Sequence, residues 1–90
     1  MSDWTVYMLR CADGSLYTGI AKDVVARVAT HNAGRGAKYT KARRPVAMIW
    51  SEPATCRSTA SKREYAIKQL RRSEKLTLSR SASNHRQAAP

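Results

Sequence analysis

Apolar residues along the chain fall in short runs punctuated by Asp, Gly and Pro, and each run predicts an element. Trp4 to Cys11 (WTVYMLRC) is apolar on both alternating sets of positions, the pattern of a buried strand. Ala12-Asp13-Gly14-Ser15 reads as a turn, since Asp and Gly accept backbone angles that other residues avoid. Leu16 to Ile20 is a second strand, so the two form an antiparallel hairpin with a loop of about four or five residues. Asp23 is placed to cap a helix that runs to about Asn32, with Val24, Val25, Val28 and Ala29 as its expected apolar face. Gly34 and Gly36 end that helix and open a loop that Pro45 closes. Val46 to Trp50 is a compact apolar run, expected as a third strand of the same sheet and broken at Pro53. A second helix is expected from Ser58 to Leu70, with Ala60, Ile67 and Leu70 facing the core. Ser73 is positioned to cap a short last helix, Glu74 to Leu78. From Ser79 onward the residues are polar, and a disordered tail is expected.

The order β-β-α-β-α-α describes an α+β fold, a small three-stranded antiparallel sheet flanked by helices. The reading gives one domain over residues 1–78 and a tail over 79–90. A chain of 90 residues buries a single modest core, and a hydrophobic content of 42% is enough to make one.

Charge changes the picture. Lys and Arg number 17 against 6 Asp and Glu, a net charge of +11. Such a field draws polyanions, and nucleic acid leads as the partner. The basic residues do not gather into one amphipathic helix, and no apolar run is long enough to span a membrane, so no membrane partner is expected. Positive charge is densest in the loop Arg35 to Arg44, where Arg35, Lys38, Lys41, Arg43 and Arg44 occur without an acid. These five are the candidate nucleic-acid-binding residues; a solvated loop is the alternative. Cys11 and Cys56 show no CxxC or Cys/His ligand spacing, which argues against zinc. Both are read as small packed residues in a reduced, cytoplasmic setting.

Five polar residues are candidates for chemistry. Tyr7 and Tyr17 fall on neighbouring strands of the hairpin, facing a substrate or simply packing the sheet. Arg27 and His31 are four apart and share one helix face at the border of the valine stripe, beside a cleft or in solvent near a helix end. Glu64 lies four after Ala60 and three before Ile67, on the edge of the second helix's apolar stripe. It suits a divalent cation, a capping box with Ser61, or a salt bridge to Arg63, Lys68 or Arg27.

Val6-Tyr7-Met8 and Tyr17-Thr18-Gly19, whose tyrosines are ten positions apart in one hairpin, resemble the two motifs that open a GIY-YIG nuclease domain. The segments that follow resemble its small stand-alone bacterial branch, the YhbQ-like, UPF0213 group. These are the Asp23–Asn32 helix, Gly34-Arg35-Gly36-Ala37-Lys38-Tyr39-Thr40, Arg43-Arg44-Pro45, and Lys62-Arg63-Glu64 with Ile67 and Leu70. The resemblance runs from about Trp4 to Leu78. The first motif here lacks its Gly and its Ile, and the second has Thr18 in place of Ile. The Asn that many members carry after the acidic helix has no counterpart before Asn84.

The resemblance implies an endonuclease that hydrolyses phosphodiester bonds in DNA with one divalent metal, magnesium or manganese, in DNA repair or processing, with structure selectivity as an option. On that reading Glu64 holds the metal, Arg27 contacts the scissile phosphate, Tyr7 or Tyr17 activates the attacking water, and His31 supports the tyrosine. The five would line one concave, electropositive surface, which requires both helices to pack against one end of the sheet. A non-catalytic nucleic-acid-binding module on the same fold is the alternative, and a basic protein adaptor is a third class.

Overall fold

The structure is a computed structural model that describes residues 3–88, with side chains described through residue 80. The elements follow in the order β1 (Trp4–Arg10), β2 (Leu16–Ala21), α1 (Val24–Asn32), α2 (Lys38–Lys41), β3 (Ala47–Ala54), α3 (Arg57–Lys68) and α4 (Arg72–Ala88). The strands form one antiparallel sheet in the order β2-β1-β3. The central strand is therefore β1, which explains why it is apolar on both faces. The fold class read from the sequence is the one observed.

Alternation along β1 divides the core in two. Val6 and Met8 join Trp50, Ala54, Ala60 and Ile67, with Leu78 packed against them, so α3 and α4 cover this face. Tyr7 and Leu9 join Cys11 and Val46, with Tyr17, Val24 and Val28 against them, so α1 covers the other. The expectation that both main helices pack against one end of the sheet is thus replaced by a sheet held between them.

The buried stripe of α1 also differs from the expected one. Val24, Arg27, Val28 and His31 stand at i, i+3, i+4 and i+7, and they face inward. Val25 is 76% exposed and Ala29 is exposed. Counting only apolar residues misdirects the helix by a fraction of a turn, because two of its four inward positions are polar.

Local chemistry sets the ends of the elements. Asp23 caps α1, its carboxylate accepting from the Ala26 amide at 3.1 Å. At the other end Gly34, with φ +83°, allows a Schellman turn: Gly34 N–H donates to the His31 carbonyl and Arg35 N–H to that of Thr30. The chain is thereby folded back over the end of α1. The Asn32 side chain then pairs with both backbone groups of Val46, at 2.8 and 3.1 Å, and ties the helix to the start of β3.

Several boundaries move. β3 runs through Pro53 to Ala54; an edge strand tolerates Pro because one side of its backbone has no ladder to join. The loop of basic residues contains the short helix α2. α3 begins at Arg57 after Cys56, which places Ser61 and Glu64 inside the helix and removes the capping-box account of Glu64. α4 begins at Arg72 rather than after Ser73, and the Glu74 carboxylate closes its first turn by accepting from the Arg71 amide at 2.8 Å. α4 continues past Leu78 to Ala88, through a stretch free of Gly and Pro, where a disordered tail was expected. Cys11 is buried as expected, but Cys56 is exposed.

Candidate active site

The cross-strand register builds the centre of the site. Tyr7 lies opposite Gly19, and Leu9 lies opposite Tyr17, so the two tyrosines are diagonal neighbours on the face covered by α1. Their ring centroids are 6.4 Å apart. Gly19 leaves the space for the phenol: a Cβ there would stand 2.6 Å from Tyr7 Oη and 2.8 Å from Tyr7 Cζ.

His31 descends onto this pair from the last turn of α1 and is fully buried. Its Nε2 is 2.9 Å from Tyr7 Oη, and its ring meets the edge of Tyr17 at 5.3 Å between centroids. Its Nδ1 is 2.8 Å from Thr40 Oγ1. The single Thr40 hydroxyl proton has an acceptor in the Ala37 carbonyl at 2.9 Å, so Thr40 Oγ1 accepts from an Nδ1–H. Ala37 N also approaches Nδ1, at 3.4 Å, which would suit the opposite tautomer. The two shorter bonds outweigh that marginal one. The network therefore assigns the proton to Nδ1 and leaves Nε2 to accept the phenol O–H of Tyr7.

Electrostatics add Arg27 and Glu64. Burial raises the Tyr7 pKa above its usual value; the Arg27 guanidinium favours the phenolate, while Tyr17 and Glu64 disfavour it. Burial lowers the His31 pKa, and the nearby Arg27 charge lowers it further. In the resting site both the phenol and the imidazole are thus neutral at pH 7.

Glu64 arrives from α3, the helix on the opposite face. Its position between Ala60 and Ile67 puts it on the inward stripe, and its side chain is 23% exposed. Lys68 marks where α3 meets the edge strand β2: its ammonium is 3.2 Å from Glu64 Oε2 and 5.9 Å from the centroid of the Tyr17 ring. Arg63 pairs with Glu52 instead, at 3.0 Å. Among the expected partners of Glu64, Lys68 is the one present. Tyr7, Tyr17 and His31 meet directly, then, Arg27 acts on the first and third, and Glu64 is linked through Lys68 to Tyr17.

Among the described residues no three His, Cys, Asp or Glu side chains gather into a metal cage. A lone, partly buried carboxylate is an oxygen ligand of the kind magnesium takes, and Lys68, which pairs with it here, would have to give it up. Glu64 is the residue that would hold magnesium.

The basic residues differ in their freedom. Arg43 is bound to Asp13 at 3.1 Å, donates to the Tyr39 carbonyl at 2.8 Å, and lies 4.0 Å over the Tyr39 ring. Arg44 donates to the carbonyls of Lys41 and Asn32. Arg35, Lys38 and Lys41 are exposed. Sequence reasoning named Lys68 only as a partner for Glu64 and gave no role to Thr40 or to Tyr39, which stacks on Tyr17 at 6.0 Å. The loop segment Gly34–Thr40 was noticed for its charge and its family resemblance; its two hydroxyl-bearing residues, Tyr39 and Thr40, were the available signal.

These features define a small α+β domain with a buried tyrosine–histidine pair and an arginine on one sheet face. A family model described as the GIY-YIG catalytic domain matches residues 3–77. The chain is 59% identical over 73 residues to a UPF0213 protein of Staphylococcus epidermidis, covering 81% of this chain and 89% of that one. It is 56% identical over 78 residues to a UPF0213 protein of Staphylococcus aureus, covering 87% and 95%. Among solved structures it is similar to the UPF0213 protein BH0048 of Bacillus halodurans, at 40% identity and TM-score 0.54, covering 83% and 80%. It is also similar to the protein EF2693 of E. faecalis, at 38% identity and TM-score 0.56, covering 87% and 88%. The chain belongs to the GIY-YIG domain family, in its UPF0213 group.

Proposed function

We propose that this protein is an endonuclease that hydrolyses phosphodiester bonds in nucleic acid, DNA ahead of RNA. The observation that carries the reading is the buried hydrogen bond between Tyr7 and His31, beside Arg27, in a chain of net charge +11. A buried phenol is a poor base on its own, and burial raises its pKa further. It can accept a proton from water only as its own proton leaves. His31 Nε2 lies in line for that proton, held as an acceptor by Thr40 at the opposite nitrogen. The transfer runs from water to Tyr7 Oη and from Tyr7 Oη to Nε2; the water oxygen bonds to phosphorus, the P–O bond opposite it breaks, the leaving alkoxide takes a proton from bulk water, and the proton on Nε2 returns to solvent. Arg27 is the donor to the phosphate oxygens, where negative charge grows. Glu64 would hold a magnesium ion, which when bound polarises phosphate oxygens.

One observation favours the alternative, binding without cleavage: Glu64 already carries the Lys68 ammonium. Cleavage of flapped, forked and single-stranded DNA, and of RNA, with magnesium present separates the two. The nuclease reading expects products from at least one substrate, and none with Glu64→Ala or Tyr7→Phe. Retained nucleic-acid affinity with no product from any substrate would leave the binding module.

A further inference from the structure

A cavity of about 280 Å³ opens beside Tyr17, walled by Leu16, Tyr17 and Thr18 of the edge strand, Tyr39 of α2, Lys68 of α3 and Lys75 of α4. Four elements converge there, and none contributes an acid to the wall. Lys68 shares its charge with Glu64. Lys75 is half-buried, and no carboxylate among the described residues pairs with it. The Thr18 hydroxyl, on the same wall, is buried and has no hydrogen-bond partner. A wall that carries two ammonium groups and no acid is the chemistry of a site that takes an oxygen-rich anion. The aromatic wall is rigid: Arg43, Tyr39 and Tyr17 form a stack, with 4.0 Å from guanidinium to ring and 6.0 Å from ring to ring.

We propose that this cavity is a subsite for one nucleotide, with its phosphate on Lys75 and Lys68 and its sugar or base against Tyr39. The volume lies just below the ~300–1,000 Å³ of small-molecule sites, which suits one nucleotide and excludes a duplex. The inference rests on the nucleic-acid reading above for the origin of the nucleotide, but anion binding at Lys75 does not depend on cleavage. A nucleotide here adjoins Tyr17, whose ring centroid is 6.4 Å from that of Tyr7.

Amide chemical shifts of the full chain, followed during titration, test this with three probes: inorganic phosphate, deoxyadenosine 5′-monophosphate, and the dinucleoside d(ApA), whose only phosphate is a diester. The subsite expects perturbations centred on Leu16, Tyr17, Thr18 and Lys75. Lys75→Ala should weaken the mononucleotide about three- to tenfold, the effect of one charge-assisted contact at a half-buried site, and Lys75→Arg should retain it. Binding of d(ApA) as well assigns the subsite to an internal phosphate of a strand, and binding of the monoester alone assigns it to a strand end or a free nucleotide. Perturbations centred on Arg44 and Pro45, or unchanged affinity in Lys75→Ala, would overturn it. The two readings fail separately: a chain that binds nucleotide here yet cuts nothing loses only the nuclease reading. One that cuts with the same KM in wild type and Lys75→Ala loses only the subsite.

Discussion

The Tyr7 hydroxyl stands 2.9 Å from His31 Nε2, and both side chains are shut away from solvent. Each satisfies the other, so removing one leaves a buried polar atom alone. Tyr7→Phe keeps the ring that packs on Leu9 and the rest of that core, and removes only the oxygen. It should lower unfolding free energy by roughly 1–3 kcal/mol, read by urea denaturation, and leave the melt cooperative. On the proposed function the same change removes cleavage.

Two glycines protect this pair by having no side chain. A Cβ on Gly19 would meet the buried Tyr7 phenol, and one on Gly36 would meet the His31 ring and stand 2.8 Å from its Cα. Tyr7 can shift only by breaking its bond to His31, whereas the backbone at His31 is part of α1. Gly36→Ala should therefore destabilise more than Gly19→Ala, with Gly19→Ala costing about 1–3 kcal/mol by overpacking. Thermal melts of the two variants, side by side with wild type, would show the order. A Gly36→Ala melt equal to wild type would mean that the loop lies further from His31 than described.

The lowered pKa of His31 makes stability depend on pH. The imidazole protonates more readily in the unfolded chain, where its pKa is about 6.5, than in the fold, where burial and Arg27 depress it. Its contribution is complete above about pH 6.5 and is lost as pH falls toward the lower folded value, since the unfolded state then binds the extra proton. Urea midpoints should hold steady from pH 8 to 7 and decline below the ordinary histidine range. His31→Gln should flatten that decline while lowering the plateau. Thr40→Val, which removes the Nδ1 partner, should lower the plateau too, and Thr40→Ser should restore it.

Much of this was legible in the order of residues. The hairpin showed through its Asp-Gly turn, the cap of α1 through Asp23, and the central strand through its two apolar faces, because each is a local signal. The candidate site came from family resemblance as a list of residues, not as an arrangement. The inward stripe of α1 carries Arg27 and His31 in place of Val25 and Ala29, and an apolar count cannot see polar residues turned inward. α3 approaches from the far face, so Glu64 reaches Tyr17 through Lys68, a relation between two elements far apart in sequence. Thr40 and Gly36 touch His31 only because the Gly34 turn folds the loop back onto α1. These are consequences of tertiary packing, and no spacing along the chain encodes them.

The basic loop should divide into structural and binding cations. Arg43 is held by Asp13, by the Tyr39 carbonyl and by the Tyr39 ring, and its own carbonyl accepts from the Ala12 amide of the hairpin loop. An arginine engaged on this many sides is committed to joining the loop to the hairpin. Lys38 and Lys41 are exposed, and no carboxylate among the described residues pairs with them. Their ammonium groups remain available to phosphates. Arg43→Ala should lower the melting temperature measurably, whereas Lys38→Ala and Lys41→Ala should leave it unchanged. For binding the order reverses. Each phosphate contact removed should reduce the slope of log affinity against log salt by about 0.9 on duplex DNA and about 0.7 on a single strand. Affinities of wild type and the three variants, measured between about 50 and 200 mM salt, give both the loss and the slope. Equal slopes in wild type and Lys38→Ala/Lys41→Ala would take α2 out of the nucleic-acid interface and move the search to the cavity beside Lys75.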